Sequence, residues 1–267
     1  MMTAIAAITL TMGVAACGET AEVETEETVA SDGTITGEWL ADVDSAEFEN
    51  DNRNYILADG TFECLSCIPP YEVNANGEWQ SVDRPGVDSV MVEVVDDSTV
   101  RSAFRLGEEE LGSTTWTVSE DGQTLTSEFN DTSGDEPVSG SETFTRTAEG
   151  PEGSHAMSGE WTLADVGEIS DAGLRFSYSL DGDQYTSTGN GSSYTATLGG
   201  EPVAIEGNDA NVMVAVEEIG ENSYRETYMR DGETLSVTEI TINGDTMSAV
   251  NTNQRNGSIV RYNATRQ

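Results

Sequence analysis

Gly37-Glu38-Trp39 recurs as Gly159-Glu160-Trp161, and the residues downstream of each copy recur in the same order. About 20 residues after each tryptophan comes Asp-Gly, at 59 and at 181; then a tyrosine, Tyr71 and Tyr194; then Gly-Glu, beginning at 77 and at 200. Val90-Met91-Val92-Glu93-Val94 matches Val212-Met213-Val214-Ala215-Val216, and Arg105-Leu106-Gly107-Glu108 matches Arg230-Asp231-Gly232-Glu233. Thr145-Arg146 closes the first copy as Thr265-Arg266 closes the second. The offset stays between 117 and 125 residues throughout, so order and spacing are both kept. A unit of that length is a duplicated domain; solenoid repeats run roughly 20 to 50 residues.

Inside each copy the chain is punctuated by dipeptides that accept positive φ: Asp59-Gly60, Asn76-Gly77, Asp121-Gly122, Asp181-Gly182, Gly199-Gly200, Asp231-Gly232, Asn243-Gly244 and Asn256-Gly257. Each marks an expected strand reversal. Between them lie short segments of alternating character. Val100, Phe104 and Leu106 share one parity while Arg101 and Arg105 share the other, and Trp116 and Val118 fall on one face. This is the period of half-buried antiparallel strands. The expected fold is all-β: two tandem antiparallel meander barrels of about eight strands each, since closure removes exposed edges. The repeat places domain 1 at 37–147, a linker at 148–158 that contains Pro151, and domain 2 at 159–267.

Several segments carry a resemblance. Phe62-Glu63-Cys64-Leu65-Ser66-Cys67-Ile68-Pro69, the run Gly153-Ser154-His155-Ala156-Met157-Ser158 leading into Gly159-Glu160-Trp161, Ser193-Tyr194-Thr195-Ala196 and Arg230-Asp231-Gly232-Glu233 look like a family of secreted bacterial two-domain proteins described as lipocalin-like. It spans about residues 37–266; that family has no established activity, so the resemblance implies the barrel fold and not a function. The chain departs from that family in having no lysine: all 11 basic residues are arginine.

Residues 1–16 form a short apolar stretch, too short to span a bilayer, and read as a lipoprotein signal peptide. Val14-Ala15-Ala16-Cys17 resembles a lipobox, in which the cysteine thiol takes the diacylglycerol. Cys17 is the expected lipid attachment, and acyl chains give a stable anchor at about 0.8 kcal/mol per buried methylene. No Lys or Arg precedes the apolar run, a departure from export signals. Gly18 resembles lipoproteins sent to the outer membrane, so the expected place is the cell envelope, facing the periplasm. Residues 17–36 are acidic and small and read as a self-repelling tether.

With 50 acidic residues the formal net charge is −39. Such a surface repels phosphates, which excludes nucleic acid and leaves membrane contact to the lipid anchor alone. It serves solubility, or it attracts a basic protein partner.

Candidate chemistry is sparse. Cys64 and Cys67 form a C-x-x-C that reads as a local disulfide in an oxidising envelope, with a redox pair as the alternative. A zinc site lacks further cysteines and has one histidine, His155, to draw on. The same scarcity leaves no catalytic triad, no metal and no cofactor, so the chain reads as a non-enzyme. Tyr71, Phe104, Trp116 and Phe129 in the first copy, and Tyr178, Tyr194, Tyr224 and Tyr228 in the second, either pack the cores or line a lumen. The lumen reading makes the protein a binding module for a small apolar or amphipathic ligand. The rival is a pair of filled barrels acting through the acidic exterior.

Overall fold

The computed structural model describes residues 34–207 and 210–267. The expected signal peptide, Cys17 and most of the tether lie outside the described residues. The described chain is built of strands, with no α-helix and one 3₁₀ turn at Asp171–Gly173.

The strands are β1 (Gly37–Glu49), β2 (Asn52–Ala58), β3 (Thr61–Cys64), β4 (Tyr71–Asn74), β5 (Asn76–Arg84), β6 (Val87–Val94), β7 (Thr99–Leu106), β8 (Glu109–Val118), β9 (Thr124–Asp131) and β10 (Val138–Glu149). They continue as β11 (Gly159–Ile169), β12 (Arg175–Asp181), β13 (Gln184–Gly189), β14 (Ser192–Thr197), β15 (Val203–Ala204), β16 (Met213–Gly220), β17 (Ser223–Arg230), β18 (Glu233–Asn243), β19 (Thr246–Asn253) and β20 (Ile259–Arg266). They form two antiparallel, nearly closed barrels of ten strands each, two more per barrel than the sequence suggests.

The extra strands arise where a run is broken. Asn76-Gly77 makes no hairpin: Gly77, at φ +75°, sits at the start of β5 and separates it from β4. Asp59-Gly60 and Asp231-Gly232 are true two-residue reversals, with both residues at positive φ.

Strand order cuts across the sequence repeat. Barrel 1 runs β4-β3-β2-β11-β10-β9-β8-β7-β6-β5, so it takes the Trp161 strand of the second repeat. Barrel 2 runs β14-β13-β12-β1-β20-β19-β18-β17-β16-β15, and takes the Trp39 strand of the first. Barrel 1 is thus one contiguous stretch, 52–169, inserted between the first strand of barrel 2 and the rest of it. The physical reason is local. Strands β10 and β11 are sequential neighbours and close as a hairpin, which orders far less chain than bringing β1 back to β10. The segment 148–158 marks the sequence repeat, whereas the sheets divide at 50–51 and at 170–174. Residues 150–158 are the loop of that hairpin and fold over barrel 1: Met157 is buried, and the Leu57 N–H donates to Ser158 Oγ at 2.8 Å.

Each barrel is latched by the same device. Trp39 and Trp161 are fully buried, and each indole N–H donates to a carbonyl four residues back, Ile35 and Met157, at 2.9 Å. Arg266 lies over the Trp39 ring at 4.3 Å and Arg146 over the Trp161 ring at 3.9 Å. Their guanidinium groups donate to backbone carbonyls of the entering segments, Arg266 to Thr34 and Thr36, Arg146 to Ala156 and Ser158. Gly37 and Gly159 (φ +143° and +136°) let those arginines approach; a Cβ on Gly37 would stand 2.5 Å from Arg266 Nη1. The recurring Gly-Glu-Trp and Thr-Arg motifs are the two halves of this latch.

Candidate functional site: the two barrel interiors

Period-2 alternation sends one side chain in two into each barrel interior. On β17 the inward residues are Tyr224, Glu226 and Tyr228. Glu226 is 2% exposed at the centre of barrel 2. Its Oε1 accepts from the hydroxyls of Tyr185 (2.8 Å) and Tyr194 (2.6 Å), and its Oε2 from Tyr228 (2.7 Å). The rings pack in a chain: Tyr178 to Tyr185 at 5.4 Å, Tyr185 to Tyr224 at 5.5 Å, Tyr185 to Tyr194 at 6.4 Å. Burial first, and then the negative charge of Glu226, push the phenols of Tyr178, Tyr185, Tyr194, Tyr228 and Tyr262 above their ordinary range.

Two carboxylates are buried among the described residues, Asp51 and Glu226. Asp51 has a cation, Arg53, bound through both guanidinium nitrogens. Glu226 has no ion pair among the described residues.

The interior of barrel 1 is built differently, with Arg53 set between Asp51 and Glu142. Register makes Ser102 the counterpart of Glu226: Ser102 pairs with Val92 and Thr114, Glu226 with Val216 and Thr238, so Val92 corresponds to Val216, two residues beyond the Val214 to which the sequence repeat matches it. Ser102 is fully buried and its Oγ has no hydrogen-bond partner. In the same core Tyr55, Phe62 and Trp116 pack at 5.6 to 6.1 Å, with Tyr71 6.0 Å from Phe62. Arg84 lies over the Tyr71 ring at 4.6 Å with its Nε unpartnered, and Arg53 lies over Phe144 at 5.3 Å. Burial pushes the Tyr71 phenol up to about 12, against the pull of Arg84. Burial also raises the Glu142 carboxyl, against the pull of Arg53.

Of the eight aromatics singled out by sequence, Tyr71, Phe104 and Trp116 pack in the core of barrel 1, and Tyr178, Tyr194, Tyr224 and Tyr228 in that of barrel 2. Phe129 shares their inward parity but lies half-buried over Gly140, its direct partner on β10, apart from that core cluster. Sequence reasoning missed Tyr185, Tyr262 and, above all, Glu226. The signal was present in β17, where a glutamate stands between two tyrosines on the face that alternation buries.

Cys64 and Cys67 are joined by a disulfide and buried in the core of barrel 1. It ties the end of β3 to the loop that leads into β4. His155 Nδ1 accepts the Met157 N–H at 3.1 Å, so Nε2 carries the proton and donates to the Asp96 carbonyl at 2.8 Å. That bond pins the 150–158 loop to the β6–β7 hairpin. Among the described residues no group of three or more His, Cys, Asp or Glu is placed to hold a metal.

The chain matches no family model, and neither the curated proteins nor the solved structures yielded a similar one.

Proposed function

We propose that the protein is a non-enzymatic binding module of the cell envelope, anchored through Cys17, whose barrels take up a small apolar or amphipathic molecule. The observation that carries this reading is the polar group held at the same inward position of each barrel, Ser102 in one and Glu226 in the other, among aromatic rings. A purely structural β-barrel core gains nothing from polar atoms there, because each must be desolvated on folding. Ligand pockets have that composition: apolar and aromatic walls with a few polar groups that set orientation.

The test is uptake of a lipophilic dye such as Nile red by the mature chain, followed by fluorescence. Saturable uptake of one or two molecules per chain supports the reading. Absence of saturable uptake across a panel of neutral and charged dyes overturns it. The anchor is checked separately: Cys17→Ser moves the chain from the membrane fraction to the soluble one, and unchanged fractionation removes the anchor from the proposal.

A further inference from the structure

Resting on that binding reading, we propose that barrel 2 selects an organic ammonium ion, with Glu226 as its counter-charge and the surrounding tyrosine rings as its walls. The reasoning starts from the imbalance at Glu226. A carboxylate that is 2% exposed and has no cation is an unfavourable thing to bury, and the other buried carboxylate of the described chain, Asp51, is given Arg53. Three phenol hydroxyls make the site tolerable without neutralising it. A carboxylate offers about four acceptor directions, and the three bonds from Tyr185, Tyr194 and Tyr228 leave one unused on Oε2.

The walls fit the same ligand. Tyrosine faces attract ammonium groups through their quadrupoles, an attraction that strengthens when the cation is desolvated. The tyrosines around Glu226 come from β12, β13, β14, β17 and β20, so they enclose it from several sides. The exterior agrees: at a net charge of −39 the chain concentrates cations near its surface and repels anions. In barrel 1 the corresponding position is Ser102, and the buried Asp51 is already paired with Arg53.

An entry route lies at the weakest seam of barrel 2. Strand β15 has two residues, and β14 is held to the segment after it by the Ser193–Glu206 backbone pair, at 3.1 and 2.8 Å. Tyr194, one of the three hydroxyls on Glu226, is on β14 beside that pair. Parting this seam would draw Tyr194 off the carboxylate and open the lumen where the charge is.

Three probes of similar size separate charge from shape: 2-phenylethylamine, 2-phenylethanol and phenylacetate. Each is titrated calorimetrically into the mature chain, at neutral pH and about 0.5 M salt, where the screening length of roughly 4 Å suppresses binding to the acidic exterior. The proteins are wild type, Glu226→Gln and the exposed control Glu233→Gln. The expected result is one amine per chain, at least about tenfold tighter than the alcohol, with no binding of the anion. Glu226→Gln is expected to bring the amine to the level of the alcohol, while Glu233→Gln changes neither.

An amine that binds no tighter than the alcohol, or a preference that survives Glu226→Gln, overturns the inference and leaves the binding module standing. If none of the three probes binds and the dyes do not enter either, the binding reading itself fails. Should Glu226→Gln not fold, the amine-to-alcohol ratio of the wild type decides alone.

Discussion

Barrel 1 and barrel 2 share a latch and differ in what they enclose. Both are closed by a buried tryptophan under an arginine that caps backbone carbonyls, with a positive-φ glycine giving it room. Inside, the matched positions diverge. Register sets Phe62 against Tyr185, Ser102 against Glu226, Phe104 against Tyr228 and Tyr71 against Tyr194. Barrel 2 thereby has a carboxylate and two hydroxyls bound to it where barrel 1 has a serine and two phenylalanines, while barrel 1 holds a paired Arg53 and a disulfide. The closure motif is common to both barrels because both must close; the interiors are not bound by that requirement.

The largest effect should come from cutting the chain in the two ways open to it. A fragment of residues 50–169 contains all ten strands of barrel 1 and is expected to fold alone, with dispersed amide resonances. A fragment of residues 37–147 matches the sequence repeat but omits β11, and so leaves one edge each of β2 and β10 without its partner strand and Trp161, Met157 and Leu163 missing from the core. It is expected to remain unfolded. If the second fragment folds and the first does not, the exchange of first strands is wrong.

A smaller version of the same test uses the tryptophans. Trp39→Ala and Trp161→Ala should each cost about 3–5 kcal/mol, the usual range for emptying a large buried site. Hydrogen exchange under mild denaturant should place the damage of Trp39→Ala in residues 175–266, although Trp39 belongs to the first repeat, and that of Trp161→Ala in residues 52–169. Damage confined to each tryptophan's own repeat would contradict the sheet order.

Alkaline pH separates the barrels by their tyrosines. All eight phenols are pushed above the ordinary value near 10, and burial is the first cause in each. Because the folded pKa is raised, the neutral phenols contribute stability that is intact below about pH 10 and is lost as pH rises toward the folded values. Six of the eight belong to barrel 2. Tyrosinate absorbance should therefore stay low through pH 10 and then rise in a cooperative step as barrel 2 opens before barrel 1. A smooth rise centred on pH 10 would mean that the phenols are not enclosed.

The legible part of this structure was whatever obeys a local rule. Asp-Gly at 59 and 231 reverses the chain because those residues accept positive φ, and alternation in 99–106 puts Val100 and Phe104 inward. The repeat exposed both halves of the latch, but not that Arg146 and Trp161, from different repeats, would form one of them. That pairing is decided by which strand fills the gap between β10 and β2, a competition between a near hairpin and a distant return that no residue announces. Asn76-Gly77 misled for a related reason: a dipeptide that permits a turn was used for a kink. Glu226 was obscured by abundance, one carboxylate among 50, and only its parity with Tyr224 and Tyr228 distinguishes it.

The smallest effect tests whether the Ser102 hydroxyl in barrel 1 is as free as the structure has it. Ser102 Oγ is buried and unpartnered, and a hydroxyl desolvated without a bond costs about 1–3 kcal/mol. Ser102→Ala removes that penalty together with a single small atom, so the expected change is between neutral and about 1 kcal/mol stabilising, read from denaturant unfolding of barrel 1. Glu226→Gln, in the same assay on barrel 2, removes a buried charge while keeping an acceptor for Tyr185 and Tyr194, and should leave the empty barrel at least as stable. If Ser102→Ala instead destabilises by more than about 1 kcal/mol, the hydroxyl is bonded in solution. Ser102 would then be a satisfied core hydroxyl, and barrel 1 would lose the free polar group on which its part of the binding proposal rests.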